Sequence, residues 1–334
     1  MSTAAVLLGI DFGGTKIAIA VADPRGRMLA STTVDSAGEL GARAAFERGV
    51  LAAEGLLAET GGRELTAVGV STFGIPFDDR VELAPSIPGW DVLPLGHELR
   101  KAFPGAHIRM ATDAKAAARA EATWGALTGC DPAIYLNLGT GLSAAIIVGG
   151  QVLVGRNGAS GEIGYNLRGL GDVGIGLDNR VPLEWMVSAR ALAKRASAAA
   201  GSGRDLTAAE AFEASAGDAA LAGVIDNFVT ELAYHLVNLA IAIDPSGGYT
   251  GQVVDVPATI ANHVPSLTTS IAAAVAARAS AILVGGKSID PEQSMMMISA
   301  LLPPPPTAGS GGVSPLPSAV TVTIALTSRP LTGR

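Results

Sequence analysis

The stretch Ile10-Asp11-Phe12-Gly13-Gly14-Thr15-Lys16 stands between two apolar runs, residues 6–10 and 17–21. Such runs on either side of a glycine pair predict two strands joined by a tight turn. Glycines let backbone N–H groups approach phosphate oxygens, because no Cβ stands in the way. Asp11 ends the first strand with a carboxylate, a ligand that Mg²⁺ prefers. Taken alone, the segment predicts either an ordinary hairpin or a phosphate-binding turn in which Thr15 and Lys16 contact phosphate.

A second segment repeats this arrangement. An apolar run at 133–138 leads into Asn137-Leu138-Gly139-Thr140-Gly141, and another strand is predicted at 143–148. Two similar halves can close on a ligand between them, so the repetition favours phosphate binding over a plain hairpin. The GxxxxGK[ST] motif of strand–loop–helix nucleotidases does not occur in the chain.

Asp113 follows a predicted strand at 108–111 and opens a predicted helix at 114–127. An Asp in this place is often a helix N-cap. It can also accept the proton of an attacking hydroxyl, as the catalytic-loop Asp of protein kinases does. The residues alone leave both roles open.

Further helices are predicted at 38–59, 182–199 and 219–243. Strands and helices alternate, but glycine-rich hairpins join the early strands, so the fold class is α/β with antiparallel portions. The tryptophans Trp90, Trp124 and Trp185 are interpreted as packing residues, since large aromatic side chains are usually buried.

Bulk composition excludes several classes of function. The net charge of −7 disfavours nucleic acid and anionic membrane as partners. The apolar segment 228–243 contains polar residues, so it predicts a buried helix and not a membrane span. With Cys130 alone and no secretory signal visible, we expect a cytoplasmic protein. Residues 293–334 contain no Asp or Glu and are rich in Pro, Ser and Gly, which predicts a flexible tail.

Four motifs, in this order, together resemble the ROK family of bacterial sugar kinases and sugar-responsive repressors. They are Ile10-Asp11-Phe12-Gly13-Gly14-Thr15-Lys16, Thr112-Asp113-Ala114-Lys115-Ala116-Ala117, Leu136-Asn137-Leu138-Gly139-Thr140-Gly141 and Gly158-Ala159-Ser160-Gly161-Glu162-Ile163-Gly164. Only ten residues precede Asp11, so we do not expect the DNA-binding segment of the repressors.

The resemblance implies a two-domain actin-like ATPase fold (ribonuclease H-like), with domains at 1–112 and 113–334 and sugar bound in the cleft between them. It implies ATP-dependent phosphorylation of a hexose or related sugar hydroxyl, with Asp113 as general base and Asp11 holding Mg²⁺. Polyphosphate donors occur among relatives, and no feature of the sequence separates them from ATP. A homodimer is expected by family analogy alone.

Site residues are implied one by one. Those matched to the two phosphate motifs are Asp11, Gly13, Gly14, Thr15, Lys16, Asn137, Gly139, Thr140 and Gly141. Those matched to sugar binding, besides Asp113, are Ser86, Thr112, Glu162, Tyr165 and Glu184. A carboxylate suits sugar binding because it accepts charge-assisted hydrogen bonds from two vicinal hydroxyls.

The chain departs from the family pattern at several of these positions. Thr112, Lys115 and Ser86 stand where relatives carry Asn, and Tyr165 stands where they carry His. The cysteine-rich zinc loop of relatives is replaced by residues 171–180, which contain neither Cys nor His, so we predict no zinc. The strand and glycine turn expected near adenosine are displaced to 282–286. A sugar-binding protein without kinase activity therefore stands as the alternative hypothesis.

Overall fold

The computed structural model describes residues 5–124, 127–201 and 203–245, and these residues divide between two compact units. The first unit holds the described residues up to Thr128 together with Val154–Ala159. The second holds Gly129–Leu153 and the described residues from Ser160 onwards. The domain boundary after Thr112 stays a prediction. The tail at 293–334 and the displaced motif at 282–286 lie outside the described residues.

Strands and helices alternate along both units. The strands are β1 (Ala5–Phe12), β2 (Lys16–Ala22), β3 (Met28–Asp35), β4 (Glu64–Thr72), β5 (Ile75–Pro76), β6 (Val81–Glu82), β7 (His107–Thr112), β8 (Ala133–Leu138), β9 (Leu142–Val148) and β10 (Gln151–Val152). The helices are α1 (Ala42–Ala58), α2 (Leu95–Ala102), α3 (Asp113–Trp124), α4 (Ala189–Ala200), α5 (Ala208–Ser215) and α6 (Ala219–Ile243). No helix among these described residues is long and apolar enough to cross a membrane.

The first unit is built on a five-stranded sheet in the order β3-β2-β1-β4-β7. The hairpin strands β1, β2 and β3 pair antiparallel, whereas β4 and β7 continue the sheet parallel to β1. The sheet is therefore mixed, as the glycine hairpins of the sequence predict. On β1, the side chains of Val6, Leu8, Ile10 and Phe12 alternate into the core, each at most 1% exposed.

Helix α1 packs closely against the end of β1. A Cβ at Gly49 would lie 2.6 Å from the Phe12 ring, so only glycine allows this approach. The ring of Phe12 also contacts Trp90, with centroids 5.2 Å apart. The indole N–H of Trp90 donates to the Thr72 hydroxyl over 3.0 Å. These contacts fix the Phe12 ring at the end of β1, directly before the first glycine turn.

The packing interpretation of the tryptophans holds for one of the three. Trp90 is fully buried, but Trp124 is 46% exposed and Trp185 is 67% exposed. The interpretation was wrong for Trp124 and Trp185, since much of each side chain faces solvent instead of packing in a core.

The second unit combines a three-stranded antiparallel sheet, β10-β9-β8, with α4, α5 and α6. Its core joins the two longer strands to α6 through Leu136, Leu142, Phe228 and Leu232. The predicted helix 219–243 is confirmed, and the Asp218 side chain caps it by accepting from the backbone N–H groups of Ala220 and Leu221.

Two helix predictions were wrong at their starts. The helix predicted from residue 38 begins at Ala42, because Gly38–Leu40 form a 3₁₀ turn and Gly41 has a φ of +88°. The helix predicted from residue 182 begins at Ala189. Before it, Leu183–Trp185 form a separate 3₁₀ turn, and the Ser188 hydroxyl caps α4 by accepting from the Ala191 N–H.

Candidate active site

Polar side chains of the first unit meet where three parallel strands end. Asp11 on β1 lies beside Ser71 on β4, and Ser71 lies beside Ala111 on β7. One residue further, Phe12, Thr72 and Thr112 form the next row, and Asp113 follows β7 directly. The carboxyl ends of parallel strands are the usual location of ligand sites in α/β sheets. The sheet therefore brings Asp11 and Asp113 to the same edge.

Asp11 is a half-buried carboxylate whose partner is a neighbouring hydroxyl. The Ser71 hydroxyl donates to Asp11 Oδ1 over 2.6 Å. Burial raises the pKa of Asp11 to about 6, the Ser71 hydrogen bond opposes the rise, and the charge of Asp113 adds to it. A partly buried carboxylate with a second negative charge nearby is stabilised by a cation. The donor set therefore fits Mg²⁺, which binds through one or two carboxylates completed by substrate phosphates.

Thr112, and not Asp113, carries out the capping of α3. The Thr112 hydroxyl accepts from the Lys115 N–H three residues on, at 3.3 Å, which is the N-cap pattern. Asp113 lies inside the helix as its first residue, and its Oδ1 accepts from the adjacent Ala114 N–H at 2.7 Å. Thr112 is 4% exposed and Lys115 is also 4% exposed. Thr112 therefore takes the N-cap role that the sequence left open for Asp113, and the role of Asp113 as general base stays a prediction.

The first glycine turn is closed by a backbone hydrogen bond and held by a side chain from outside the turn. The Gly13 N–H donates to the Lys16 carbonyl over 2.9 Å. A Cβ there would lie 2.8 Å from that same oxygen. The Ser36 hydroxyl donates to the Gly14 carbonyl over 3.0 Å. A Cβ on Gly14 would approach Ser86 Cβ to 3.1 Å, so the predicted sugar contact Ser86 lies against this turn.

The tip of the first turn faces solvent. Gly14, Thr15 and Lys16 are all exposed. The phosphate-binding hypothesis requires such an exposed tip.

In the second unit, the second glycine turn rests on the segment that carries Glu184. The Gly139 N–H donates to the Gly141 carbonyl over 3.1 Å, and the Ala189 N–H donates to the Gly139 carbonyl over 3.0 Å. Glu184 Oε2 accepts from the Leu142 N–H at 3.3 Å. A Cβ on Gly141 would lie 2.5 Å from that carboxylate oxygen. Thr140, at the tip, is exposed, and Asn137 is half-buried on β8.

The glycines of the 158–164 motif fix the backbone around Glu162. Gly161 has a φ of +84°, and a Cβ there would fall 2.0 Å from the Ala144 carbonyl oxygen on β9. A Cβ on Gly164 would fall 2.4 Å from the Leu142 carbonyl oxygen. The Gly161 carbonyl also accepts from the Ala144 N–H over 2.7 Å. The motif thus holds the Glu162 and Tyr165 segment directly against β9.

Three of the predicted sugar-binding residues interact electrostatically in the second unit. Burial, followed by the charges of Glu184 and Glu162, raises the pKa of Tyr165 to about 12. The Tyr165 hydroxyl, like that of an ordinary tyrosine, is protonated at neutral pH and can donate a hydrogen bond, while the two carboxylates can accept one. Glu162, Tyr165 and Glu184 are each half-buried.

The sequence analysis missed two supporting residues of the first unit, Ser71 and Ser36. Ser71 contacts Asp11, and Ser36 contacts the Gly14 carbonyl. Both are fully buried. For Ser71 a signal exists, since a polar residue ending the apolar run 67–70 marks a strand end beside Asp11.

Comparisons with known proteins agree on one family. The model of the ROK family matches residues 7–297. A glucokinase of Thermotoga maritima is 32% identical over 161 residues, which are 48% of this chain and 50% of that protein. The matched segment thus spans half the length of this relative.

Two solved structures support the same fold. A ROK hexokinase from Thermus thermophilus is 30% identical, with a TM-score of 0.63, covering 89% of this chain and 97% of that one. A ROK family glucokinase from Streptomyces griseus, in complex with glucose and AMPPNP, is 30% identical, with a TM-score of 0.58, covering 72% and 81% of the two chains. The predicted actin-like ATPase fold class is confirmed.

Proposed function

Because the chain belongs to the ROK family, we propose that it transfers the γ-phosphoryl group of ATP to a hydroxyl of a hexose or related sugar. The similar Streptomyces griseus glucokinase was crystallised with glucose and AMPPNP, an ATP analogue, which supports this pairing of substrates. The cytoplasm as location, the homodimer and the absence of a nucleic-acid partner stay predictions.

One observation carries the proposal: Asp11 and Asp113 lie at the same edge of the sheet, at the carboxyl ends of β1 and β7. Burial is the main cause of the raised pKa of Asp11, and the nearby charge of Asp113 adds to it. The exposed glycine turn follows Asp11 along the chain. A phosphoryl-transfer site requires a metal-binding carboxylate, an acceptor for the hydroxyl proton and backbone donors for phosphate. The first unit supplies all three.

In the proposed reaction, Asp113 accepts the proton of the attacking sugar hydroxyl. The hydroxyl oxygen forms a bond to the γ-phosphorus as the bond to the β–γ bridging oxygen breaks, and ADP leaves with that electron pair. Capping of α3 by Thr112 leaves the Asp113 carboxylate at the start of the helix, next to the strand edge. Since the transition state is loose, catalysis rests mainly on positioning and charge.

Asp11 would hold Mg²⁺, and the two glycine turns would hold the phosphates. When bound, Mg²⁺ neutralises charge on the phosphoryl oxygens. The exposed donors of Gly14, Thr15 and Lys16 suit one part of the triphosphate, and those of Thr140 suit another. Asn137, Gly139 and Gly141 shape the second turn.

The sugar would contact side chains that accept hydrogen bonds and a side chain that donates one. Glu162 and Glu184 would accept hydrogen bonds from sugar hydroxyls, and the protonated hydroxyl of Tyr165 would donate one. Ser86 and Thr112 remain predicted contacts, and the buried Thr112 hydroxyl already accepts from Lys115.

The proposal is tested by ADP release with Mg²⁺-ATP across hexoses, amino sugars and N-acetyl sugars. Asp113→Asn and the control Asp226→Asn, an exposed Asp on α6, are assayed beside the wild type. We expect turnover on at least one sugar, loss of roughly 10²-fold or more in Asp113→Asn, and no change in the control. Polyphosphate is tried as donor in parallel.

The alternative, a sugar-binding protein without kinase activity, predicts a different result. Calorimetry would then detect sugar binding, while no donor supports turnover. A sugar that is phosphorylated equally well by Asp113→Asn would remove Asp113 from the role of base.

A further inference from the structure

The loop between the two candidate sugar-binding segments has one buried residue. In residues 166–182, all of which the structure describes, every side chain but that of Asp172 is exposed or half-buried. Several apolar side chains point to solvent here, with Leu170 being 92% exposed. A loop that buries so little apolar surface has to be ordered by its polar contacts.

Asp172 makes most of these contacts. Its Oδ1 accepts from Arg168 Nη2 at 2.6 Å, and its Oδ2 accepts from Arg168 Nε at 2.9 Å and from the Arg168 backbone N–H at 2.8 Å. This is a bidentate pair with an added backbone bond, the strongest geometry that a carboxylate and a guanidinium form. The Arg168 hydrogen bonds hold the pKa of Asp172 well below its ordinary value, and the charge of Arg180 contributes.

Arg180 connects this pair to the Glu162 and Tyr165 segment. Its Nη2 donates to the Tyr165 carbonyl oxygen. Its Nε is buried and has no hydrogen-bond partner among the described residues. A buried donor left without a partner destabilises the folded state. The nearby charge of Asp172 favours a guanidinium at this position, since opposite charges attract.

Arg168 reaches towards the Glu184 segment. Its Nη1 lies 3.8 Å from the sulfur of Met186, two residues after Glu184. The Arg168–Asp172–Arg180 cluster therefore contacts both segments that carry candidate sugar-binding side chains.

We propose that Asp172 is a positioning residue, which through Arg168 and Arg180 holds the Tyr165 and Glu184 segments in the geometry that binds sugar. The inference rests on the proposed function. Within this loop, residues 171–180 stand where ROK relatives carry a cysteine-rich zinc loop. Residues 166–182 offer neither Cys nor His, and Arg168 occupies both oxygens of Asp172, so the donor set does not fit zinc. The ion pair between Arg168 and Asp172 orders this loop in place of a metal ion.

The test compares Asp172→Asn with Asp178→Asn, which changes an exposed Asp of the same loop. Sugar binding is measured by calorimetry without nucleotide, and KM values are measured for sugar and for ATP. We expect Asp172→Asn to weaken sugar binding and raise the sugar KM roughly tenfold, because displaced contacts lose much of their value. The ATP KM should change less than about twofold, and Asp178→Asn should match the wild type.

A second variant, Arg180→Gln, tests the same positioning role independently, in case Asp172→Asn does not fold. It should raise the sugar KM in the same direction, and hydrogen exchange should increase at residues 163–166 in both variants. A sugar KM unchanged in folded Asp172→Asn or in Arg180→Gln overturns the positioning role. Failure of the wild type to bind any sugar overturns the proposed function itself, and this outcome is distinct because it does not depend on any variant.

Discussion

The hydroxyl of Ser71 donates a hydrogen bond of 2.6 Å to the carboxylate of Asp11. The two residues lie 60 positions apart in the chain and meet because β1 and β4 pair in parallel with Asp11 beside Ser71. Ser71 is fully buried, so its hydroxyl has little other use than to orient this carboxylate. In the proposed site, Ser71 would thus act on the metal through Asp11.

Replacing Ser71 by Ala should weaken the binding of Mg²⁺. The substitution keeps the strand but removes the donor that orients Asp11, and loss of such a supporting hydrogen bond costs roughly 10–100-fold in metal affinity or activity. Titrating Mg²⁺ at fixed ATP measures the effect as a higher half-saturating concentration. Ser31→Ala, on the exposed part of β3, is the matched control. Equal Mg²⁺ dependence in both variants would show that Asp11 needs no support from Ser71.

Replacing Gly141 by Ala should displace Glu184. The new Cβ would lie 2.5 Å from Glu184 Oε2, which also accepts from the Leu142 N–H. Since the carboxylate must move, we expect the sugar KM to rise about tenfold, with a smaller change in thermal stability. Gly217→Ala is the control, because a Cβ there meets no atom within 4 Å. A normal sugar KM in Gly141→Ala would separate Glu184 from sugar binding.

Local features of the fold followed from the sequence, and distant pairings did not. The glycine turns and helix α6 were predictable because apolar periodicity and turn residues lie within a few positions of each other. The cap of α3 was assigned to Asp113 as one option, whereas Thr112 provides it, since a shift of one residue changes which side chain faces the helix N–H groups.

The candidate site shows the same division. The sequence motifs identify Asp11 and Asp113, and also the predicted sugar-binding residues Glu162, Tyr165 and Glu184. The contact of Ser71 with Asp11 depends on the register between β1 and β4, and that of Glu184 with the second turn depends on tertiary packing. Neither is encoded by local spacing.

Replacing Gly161 by Ala should destabilise the second unit strongly. A Cβ there would lie 2.0 Å from the backbone oxygen of Ala144, and the φ of +84° is unfavourable for any L side chain. We expect a loss of about 3 kcal/mol or more in the free energy of unfolding, measured by urea titration. Gly174→Ala isolates the backbone part, because Gly174 has a φ of +82° but no atom within 4 Å of its added Cβ. That control should lose only about 1 kcal/mol. Equal losses of unfolding free energy in the two variants would mean that the backbone of β9 moves to make room for the new Cβ.

Replacing Asp172 by Asn should give a stability loss that depends on pH. The Arg168 hydrogen bonds hold the pKa of Asp172 below its ordinary value in the folded protein, so the unfolded chain binds the proton more readily. The stability from this pair is complete above the ordinary Asp pKa of about 3.9 and is lost as the pH falls towards the folded value. Urea unfolding of the wild type and Asp172→Asn should therefore show a gap in the free energy of unfolding at pH 7 that narrows below about pH 4. Asp178→Asn should show no such gap, since its carboxylate is exposed. A gap for Asp172→Asn that stays constant down to the lowest pH would assign its effect to packing, because a charge effect has to disappear when the carboxylate is protonated in both states.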